Sequence, residues 1–166
     1  MTEQTQKRLG NYTLLDKIAQ GGMAQVYKAK TYDHSGEERL VVIKRILPHI
    51  SADPEYVEML IDEAKIAVNF NHGNIAQIYD LGRVDEDYFI VMEYVDGKTF
   101  SQIAKRLKQI GKQIPLDILL YCFIELCRGL SYIHNKKSSD GKALRVVHRD
   151  VSPQNIILSY TGKLYP

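Results

Sequence analysis

Asp150 and Asn155 place an acid and an amide five residues apart within the segment His148–Asn155, which short apolar runs flank. A carboxylate can accept a proton, and an amide oxygen can ligate a metal cation. Because one tight loop can direct two side chains at this spacing into one cleft, the pair could serve proton transfer beside a cation. For an isolated aspartate, an ordinary turn exposed to water explains the segment equally well.

Lys44 is a basic residue in an otherwise apolar stretch. It lies in Arg39–Leu47, a β-branched run in which residues of both parities are apolar, so we expect a strand that is buried on much of both faces. A lysine in such a strand must reach water along its aliphatic stem or find an anion.

Glu63 is a candidate for that anion. The sequence Asp53-Pro54-Glu55 combines a capping residue, a proline at the first helical position and an acid in the first turn, and it predicts a helix to about Asn69. Glu63 shares a stripe of this helix with three apolar residues, namely Met59, Ile66 and Phe70. Two interpretations stay open: the carboxylate reaches solvent at the edge of the stripe, or it pairs with Lys44 as a buried ion pair.

A glycine pair lies between two alternating segments near the start of the chain. Tyr12–Gln20 and Gln25–Tyr32 suit strands, which places Gly21 and Gly22 in the turn of a hairpin. Glycine is the usual residue where a turn needs a positive φ. A second interpretation, in which backbone amides of the turn cover a phosphate, requires support from other residues.

The remaining pattern changes from strands to helices after Gly97. The predicted elements are, in order, strands at Ile75–Val84 and Tyr88–Glu93, helices at Thr99–Ile110 and Pro115–Asn135, and a short strand at Ile156–Leu158. We interpret the lysines and arginines near the first of these helices as a solvated face. His72 is interpreted as a loop histidine bonded to the backbone, in preference to a metal ligand.

The composition is that of a mixed-charge globular protein. The chain of 166 residues has single-domain size, and 22 basic against 20 acidic residues argue against nucleic acid or an anionic membrane as a partner. The sequence shows neither a signal peptide nor a membrane-spanning segment, so we expect a cytoplasmic location. Cys122 and Cys127 lack the spacing of a metal or redox motif and are interpreted as core thiols.

These segments resemble, in order and spacing, a eukaryotic-type protein kinase, in particular the bacterial serine/threonine kinases, over about Tyr12 to Leu164. The hairpin Ile18-Ala19-Gln20-Gly21-Gly22-Met23-Ala24-Gln25-Val26 is similar to the phosphate-covering loop of that family. Val41–Lys44 is similar to its third-strand lysine motif, and Glu63 falls at the helix partner of that lysine.

The resemblance implies an α+β, protein-kinase-like fold. We expect a polar leader at residues 1–11 and a kinase N-lobe at residues 12–95, with an antiparallel five-stranded sheet and one main helix. Residues 96–166 would form the first part of a mainly helical C-lobe, ending after the catalytic loop.

The family's ATP site implies roles for several residues. Lys44 would hold the α- and β-phosphates, and Glu63 would fix Lys44. Met92 falls at the gatekeeper position, and Glu93 and Val95 fall at the hinge, where backbone groups receive adenine. ATP would lie between the two lobes.

The same resemblance assigns the chemistry at the opening segment. Asp150 would accept the proton of a serine or threonine hydroxyl on a protein substrate, and Asn155 would ligate Mg²⁺. His148 is interpreted as a packing and hydrogen-bonding residue.

Three departures from the family pattern qualify these expectations. Ala19 and Ala24 replace glycines of the phosphate loop, so we expect weaker ATP binding, because a Cβ hinders close approach of the backbone. Ser152 stands where serine/threonine kinases usually carry a lysine. The sequence stops where the metal-binding Asp-Phe-Gly is expected, so we expect a truncated kinase that is inactive by itself and exposes apolar surface on Pro115–Asn135.

Two other functions are considered. A nucleotide-binding or scaffolding pseudokinase is the alternative that the missing aspartate and the altered glycines favour. A small-molecule phosphotransferase on a related fold is disfavoured by Arg149, which directly precedes Asp150.

Overall fold

The computed structural model describes residues 7–138 and 140–166, which fall into two compact units. The first unit runs up to Phe70 and continues with Gln77–Tyr94, whereas the second comprises Asn71–Ala76 and Val95–Pro166. The first is mainly β-sheet, and the second contains two helices and a small sheet.

An antiparallel sheet of six strands dominates the first unit. The strands are β1 (Arg8–Leu9), β2 (Tyr12–Gln20), β3 (Ala24–Tyr32), β4 (Glu38–Ile46), β5 (Ile78–Val84) and β6 (Asp87–Glu93), in the order β1-β2-β3-β4-β6-β5. The β2–β3 pair confirms the predicted hairpin. The predicted five-stranded sheet is confirmed with one addition, β1, which lies within the expected polar leader.

Apolar packing holds β1 in place. The Leu9 side chain is buried in a cluster with Leu14, Val41 and Val91, and the Leu14 N–H donates to the Lys7 carbonyl at 2.9 Å. Burial of one leucine side chain contributes about 2 kcal/mol. A strand of two residues is too short to show a period in the sequence, so only its packing reveals it.

Two bulges interrupt the alternation expected for β2. Register shifts occur between Leu14 and Lys17 and between Lys17 and Ala19. An extra residue in one strand changes which residues face the core. Ile18, which lies within the second shift, is exposed instead of facing the core with Leu14. Thr13 and Leu14, which precede the first shift, are both buried.

The predicted capping signal does begin a helix. After a single turn, α1 (Pro48–Ser51), the chain enters α2 (Pro54–Ala67). The Asp53 carboxylate accepts hydrogen bonds from the N–H groups of Glu55 and Tyr56, at 3.0 and 3.4 Å. These bonds satisfy two of the N–H groups that the first turn of a helix leaves without intrahelical partners.

The buried face of α2 differs from the predicted stripe. Its buried residues are Val57, Leu60 and Ala64. Leu60 packs in a cluster with Ala24, Ile46 and Ile90 of the sheet, whereas Met59 is exposed. The sheet thus contacts the stripe of Leu60 and not the stripe on which the sequence places Met59 with Glu63.

The second unit contains the two predicted helices. They are α3 (Phe100–Gln109) and α4 (Leu116–His134), and three short strands, β7 (Gly97–Thr99), β8 (Ile157–Ser159) and β9 (Leu164–Tyr165), form an antiparallel sheet in that order. At the start of α3, Thr99 and Gln102 form a capping box. Of the strands, only β8 was predicted, one residue earlier.

Helix α4 is apolar on two opposite sides. Its buried residues are Cys122, Leu126, Gly129 and Ile133. Cys122 is buried as predicted, whereas Cys127 is exposed, so its interpretation as a core thiol was wrong. Leu116 and Phe123 are exposed as well. The expected exposure of apolar surface on this helix is observed. Among the described residues, no helix is long and apolar enough to cross a membrane.

Candidate functional site

Lys44 lies in β4, opposite Val26 of β3 and Ile90 of β6. Val41 and Ile43 bury one face of β4. Lys44 projects from the other face, on which Ile46 is buried and Val42 is half-buried, so the predicted burial of both faces is observed around it. The Lys44 side chain itself is exposed. Its ammonium reaches water and is accessible to an anion.

Glu63 lies on α2 directly before the buried Ala64, and it is exposed. Because both side chains are exposed, a pair between Glu63 and Lys44 would not be a buried one. Their pairing stays a prediction, and an exposed pair would contribute more to positioning than to stability.

Gly21 and Gly22 leave the tip of the β2–β3 hairpin bare. The Gly21 N–H donates to the Ala24 carbonyl at 2.9 Å. Neither glycine has a positive φ, and a Cβ added at either would meet nothing within 4 Å. The fold therefore does not require glycine at these positions. Because neither residue has a side chain, a ligand can approach the backbone of the turn closely.

The two alanines at the family's glycine positions have different environments. Ala19 is exposed, whereas Ala24 is only 6% exposed and packs against Ile46, Leu60 and Ile90. The Ala24 methyl group thus belongs to the core, which gives this departure a structural reason. The other residues of the predicted phosphate loop are exposed at Ile18, Gln20 and Met23 and half-buried at Gln25 and Val26.

Glu93 ends β6 and is held by Gln77, a residue that the sequence analysis missed. The Glu93 N–H donates to the Gln77 carbonyl at 2.8 Å, and the Gln77 N–H donates to the Glu93 carboxylate at 3.1 Å. The Gln77 side-chain amide also donates to the carbonyls of Val68, at the end of α2, and Ile78. A lone glutamine before a strand gives no pattern signal. Val95 begins the second unit.

Asp150 and Asn155 lie on one tight loop of the second unit, and both are exposed. The Asn155 side-chain amide donates to the Asp150 carbonyl at 3.1 Å, and the Asn155 N–H donates to the Ser152 carbonyl at 2.9 Å. The Asp150 N–H donates to the His148 carbonyl at 2.8 Å, and Arg149 between them adopts φ 64°. The loop thus presents a carboxylate and an amide oxygen on one short segment.

The N-terminus of α3 anchors this loop. The N–H groups of Phe100 and Ser101 donate to the carbonyls of Ile156 and Pro153, both at 2.8 Å. First-turn N–H groups have no partner within their own helix. The loop carbonyls supply those partners, so α3 and the loop position each other.

Asn74 connects three parts of the second unit. Its side-chain amide donates to the Glu125 carboxylate at 2.9 Å and to the Leu164 carbonyl at 3.0 Å. The hydrogen bond from Asn74, assisted by Arg128, lowers the pKa of Glu125 below its ordinary value. His72 Nδ1 accepts the Asn74 N–H at 3.1 Å, which confirms the prediction of a loop histidine bonded to backbone.

The donor chemistry of the Asp150 loop is compatible with Mg²⁺. This ion takes oxygen ligands and usually combines one or two protein groups with water and substrate phosphates. The Asn155 nitrogen is bonded to the Asp150 carbonyl, which leaves the amide oxygen as the ligand atom. Within residues 7–138 and 140–166, no cluster of three His, Cys, Asp or Glu residues could hold a metal by itself. A cation here would therefore depend on phosphate oxygens.

The family of the chain follows from these elements and from a direct comparison. Residues 12–165 match the family model of the protein kinase domain. The chain belongs to this family of transferases, in which bound nucleotide and a catalytic-loop acid and amide serve phosphoryl transfer.

Three individual relatives and neighbours carry the name of a kinase. The chain is 43% identical over 155 residues to tyrosine-protein kinase MasK of Myxococcus xanthus. The aligned residues make up 93% of this chain and 24% of MasK. It is 32% identical to serine/threonine-protein kinase PrkC of Bacillus subtilis, over 93% of this chain and 22% of PrkC. A crystal structure of the Mycobacterium tuberculosis PknI kinase domain has the same fold, with a TM-score of 0.77 and 24% identity over 99% of this chain and 61% of that one. The chain thus spans about a quarter of the length of these curated relatives.

Proposed function

We propose that this chain carries the nucleotide-binding and proton-accepting parts of a serine/threonine protein kinase, which transfers the γ-phosphoryl group of ATP to a hydroxyl of a protein substrate. The loop in which Asn155 is bonded to Asp150 carries this proposal. It offers a proton acceptor and a metal-ligating oxygen on one segment, which the chemistry of phosphoryl transfer requires.

The first unit would bind the nucleotide. Lys44 would bind the α- and β-phosphates, and Glu63 would orient Lys44. The bare hairpin tip would cover the phosphates. Backbone groups of Glu93 and Val95 would receive adenine.

The second unit would carry the chemical step. The Asp150 carboxylate would accept the proton of the substrate hydroxyl as its oxygen attacks the γ-phosphorus. Asn155 would ligate Mg²⁺, which when bound neutralises charge on the phosphates. The α3 anchor would hold both residues in place, and such positioning accounts for much of the catalysis in this reaction class.

Serine or threonine is the proposed acceptor because PrkC carries that name. Tyrosine is the second candidate, because MasK, with 43% identity, is named a tyrosine kinase. Incubation with radiolabelled ATP and equimolar peptides that differ only in Ser, Thr or Tyr would distinguish the two, given an active protein.

We further propose that the 166 residues alone bind ATP but do not transfer phosphate, since the loop supplies so few metal ligands. A thermal-shift titration with ATP, with and without Mg²⁺, tests this. We expect ATP to raise the melting temperature of the native chain and of the control Lys105→Met, but not of Lys44→Met.

The absence of a shift in every protein would contradict nucleotide binding and favour a scaffold. Phosphate transfer that Asp150→Asn abolishes would show instead that these residues form a complete catalyst.

A further inference from the structure

A hollow of about 560 Å³ lies on the face of the six-stranded sheet that is opposite to Lys44. Its floor includes Val41 of β4 and Val91 of β6, each only 1% exposed. Val41 and Lys44 project from opposite faces of β4, because successive side chains of a strand alternate between its faces. The hollow is therefore separate from the surface on which Lys44 would bind phosphate, and its volume is typical of a small-molecule site.

Two tyrosines form aromatic walls of this hollow. Tyr12 of β2 and Tyr79 of β5 are both half-buried and pack against the buried cluster that forms the floor. The Tyr12 ring meets that of Phe89 edge to face, with the centroids 5.9 Å apart, which fixes its orientation. Burial, together with the Asp80 carboxylate, raises the pKa of the Tyr12 hydroxyl, so this group remains a hydrogen-bond donor. Apolar side chains between two aromatic rings suit a planar ring of a ligand.

Two arginines border the same hollow. The Arg39 guanidinium lies over the Tyr79 ring, 4.2 Å from its centroid. This cation–π contact restricts the side chain, and the guanidinium retains N–H donors for an anion. Arg8 lies on β1, where the next residue, Leu9, is buried in the cluster of the floor. In the part of the chain that the structure describes, no ion pair engages either arginine, so both charges can attract a ligand.

One carboxylate, that of Asp33, also borders the hollow. It accepts hydrogen bonds from the N–H groups of Ser35 and Glu37, at 2.8 and 3.0 Å, and from the Ser35 hydroxyl. Its charge is thus directed into its own turn. Because Arg8 and Arg39 outnumber this carboxylate, an anionic group is favoured over a cationic one.

We propose that the hollow binds a small aromatic anion, that is, a planar ring that carries a carboxylate or a phosphate group. The ring would lie on the apolar floor between the two tyrosines, and the anionic group would lie at Arg8 and Arg39. An inorganic anion would leave the floor uncovered, and a neutral aromatic molecule would leave the two cations without a counter-charge. The inference does not depend on the proposed kinase function, because it uses only the opposite face of the sheet.

Isothermal titration calorimetry of the chain with phenyl phosphate and with benzoate measures this binding. We expect a dissociation constant on the order of 100 µM for at least one of them, and the tighter ligand shows whether the anionic group is a phosphate or a carboxylate. Inorganic phosphate, which lacks the ring, and benzamide, which lacks the charge, should each bind at least about tenfold more weakly. Equal binding of either control compound, or no binding of both aromatic anions, overturns the proposal.

Substitutions locate the ligand. Arg39→Gln and Arg8→Gln should each weaken binding about tenfold, because each removes a charge-assisted hydrogen bond. Arg83→Gln is the matched control, since Arg83 is an exposed arginine of the same unit that also lies over a tyrosine ring, that of Tyr88. It should leave the affinity unchanged, as should Lys44→Met. Far-UV circular dichroism verifies that each variant is folded. Binding that Lys44→Met abolishes and Arg39→Gln retains would place the ligand on the other face of the sheet and overturn the proposal.

Discussion

The side-chain amide of Asn155 donates a hydrogen bond to the main-chain carbonyl of Asp150 at 3.1 Å. The residue proposed to ligate the metal therefore also fixes the backbone of the residue proposed to accept the proton. Its nitrogen has the structural role, and its oxygen is available for a cation. Substitutions can separate the two roles.

Asn155→Asp and Asn155→Leu should differ in metal response and agree in stability. Both remove the N–H donor, so each should lower the free energy of unfolding by about 1 kcal/mol. Only the aspartate retains an oxygen ligand, and we expect it alone to keep the Mg²⁺-dependent part of the ATP thermal shift. A leucine variant that keeps this part would contradict the assignment of Asn155 as the ligand.

Restoring the family glycine should have opposite consequences at the two alanines of the hairpin. Ala24→Gly removes a buried methyl group and loosens a strand, so we expect a loss of about 1.5 kcal/mol in urea unfolding. Ala19→Gly, at an exposed position, should cost about 0.5 kcal/mol. Equal losses at both positions would show that the Ala24 methyl group does not contribute to the core.

Gln77→Leu should weaken both the fold and nucleotide binding. It removes the hydrogen bonds to the carbonyls of Val68 and Ile78, which we expect to cost about 2 kcal/mol of stability. The hydrogen bonds between the Gln77 backbone and Glu93 remain, but without its side-chain anchors this backbone holds Glu93 less firmly, so affinity for a fluorescent ATP analogue should fall. Gln109→Leu on exposed α3 is the control and should change neither quantity. Unchanged urea unfolding would argue against the Gln77 network.

Acid should destabilise the second unit through Glu125. The pKa of its carboxyl group is lowered in the folded state by Asn74 and Arg128, so its contribution is present above the unfolded pKa of about 4.3 and is lost as pH falls through the lower folded value. The native chain should therefore lose stability below about pH 4.5 more steeply than Glu125→Gln does. Parallel pH profiles of melting temperature for the two proteins would refute this coupling.

Signals that act within one turn predicted the secondary structure well. Asp53 caps α2, Thr99 caps α3, and Pro115 directly precedes α4. Each of these effects depends on neighbouring residues alone. The hydrogen bonds of the Asp150–Asn155 loop also join near neighbours in the sequence, so the spacing of these two residues was enough to predict a tight loop.

The features that the sequence did not predict depend on contacts between segments far apart in the chain. Leu9 forms a strand only because a cluster on the sheet receives it, and α2 turns Leu60 inward because Ile46 and Ile90 lie there. On α4, the buried side contains Gly129, where an added Cβ would lie 3.3 Å from the Asn74 carbonyl oxygen. Because Gly129 has no side chain, Asn74 can approach α4 closely at this point. Gly129 therefore helps to determine which of the two apolar sides of α4 is buried.

The order of the Asp150 loop depends in part on whether the first turn of α3 is closed or frayed. None of the ten described residues of α3 is fully buried, and an isolated helix of this length is marginal in water. Fraying of its first turn would release the carbonyls of Pro153 and Ile156 while the strands stay paired. Amide exchange at Phe100 and Ser101 would measure the fraction of molecules in which the first turn is closed and this anchor of the loop is in place.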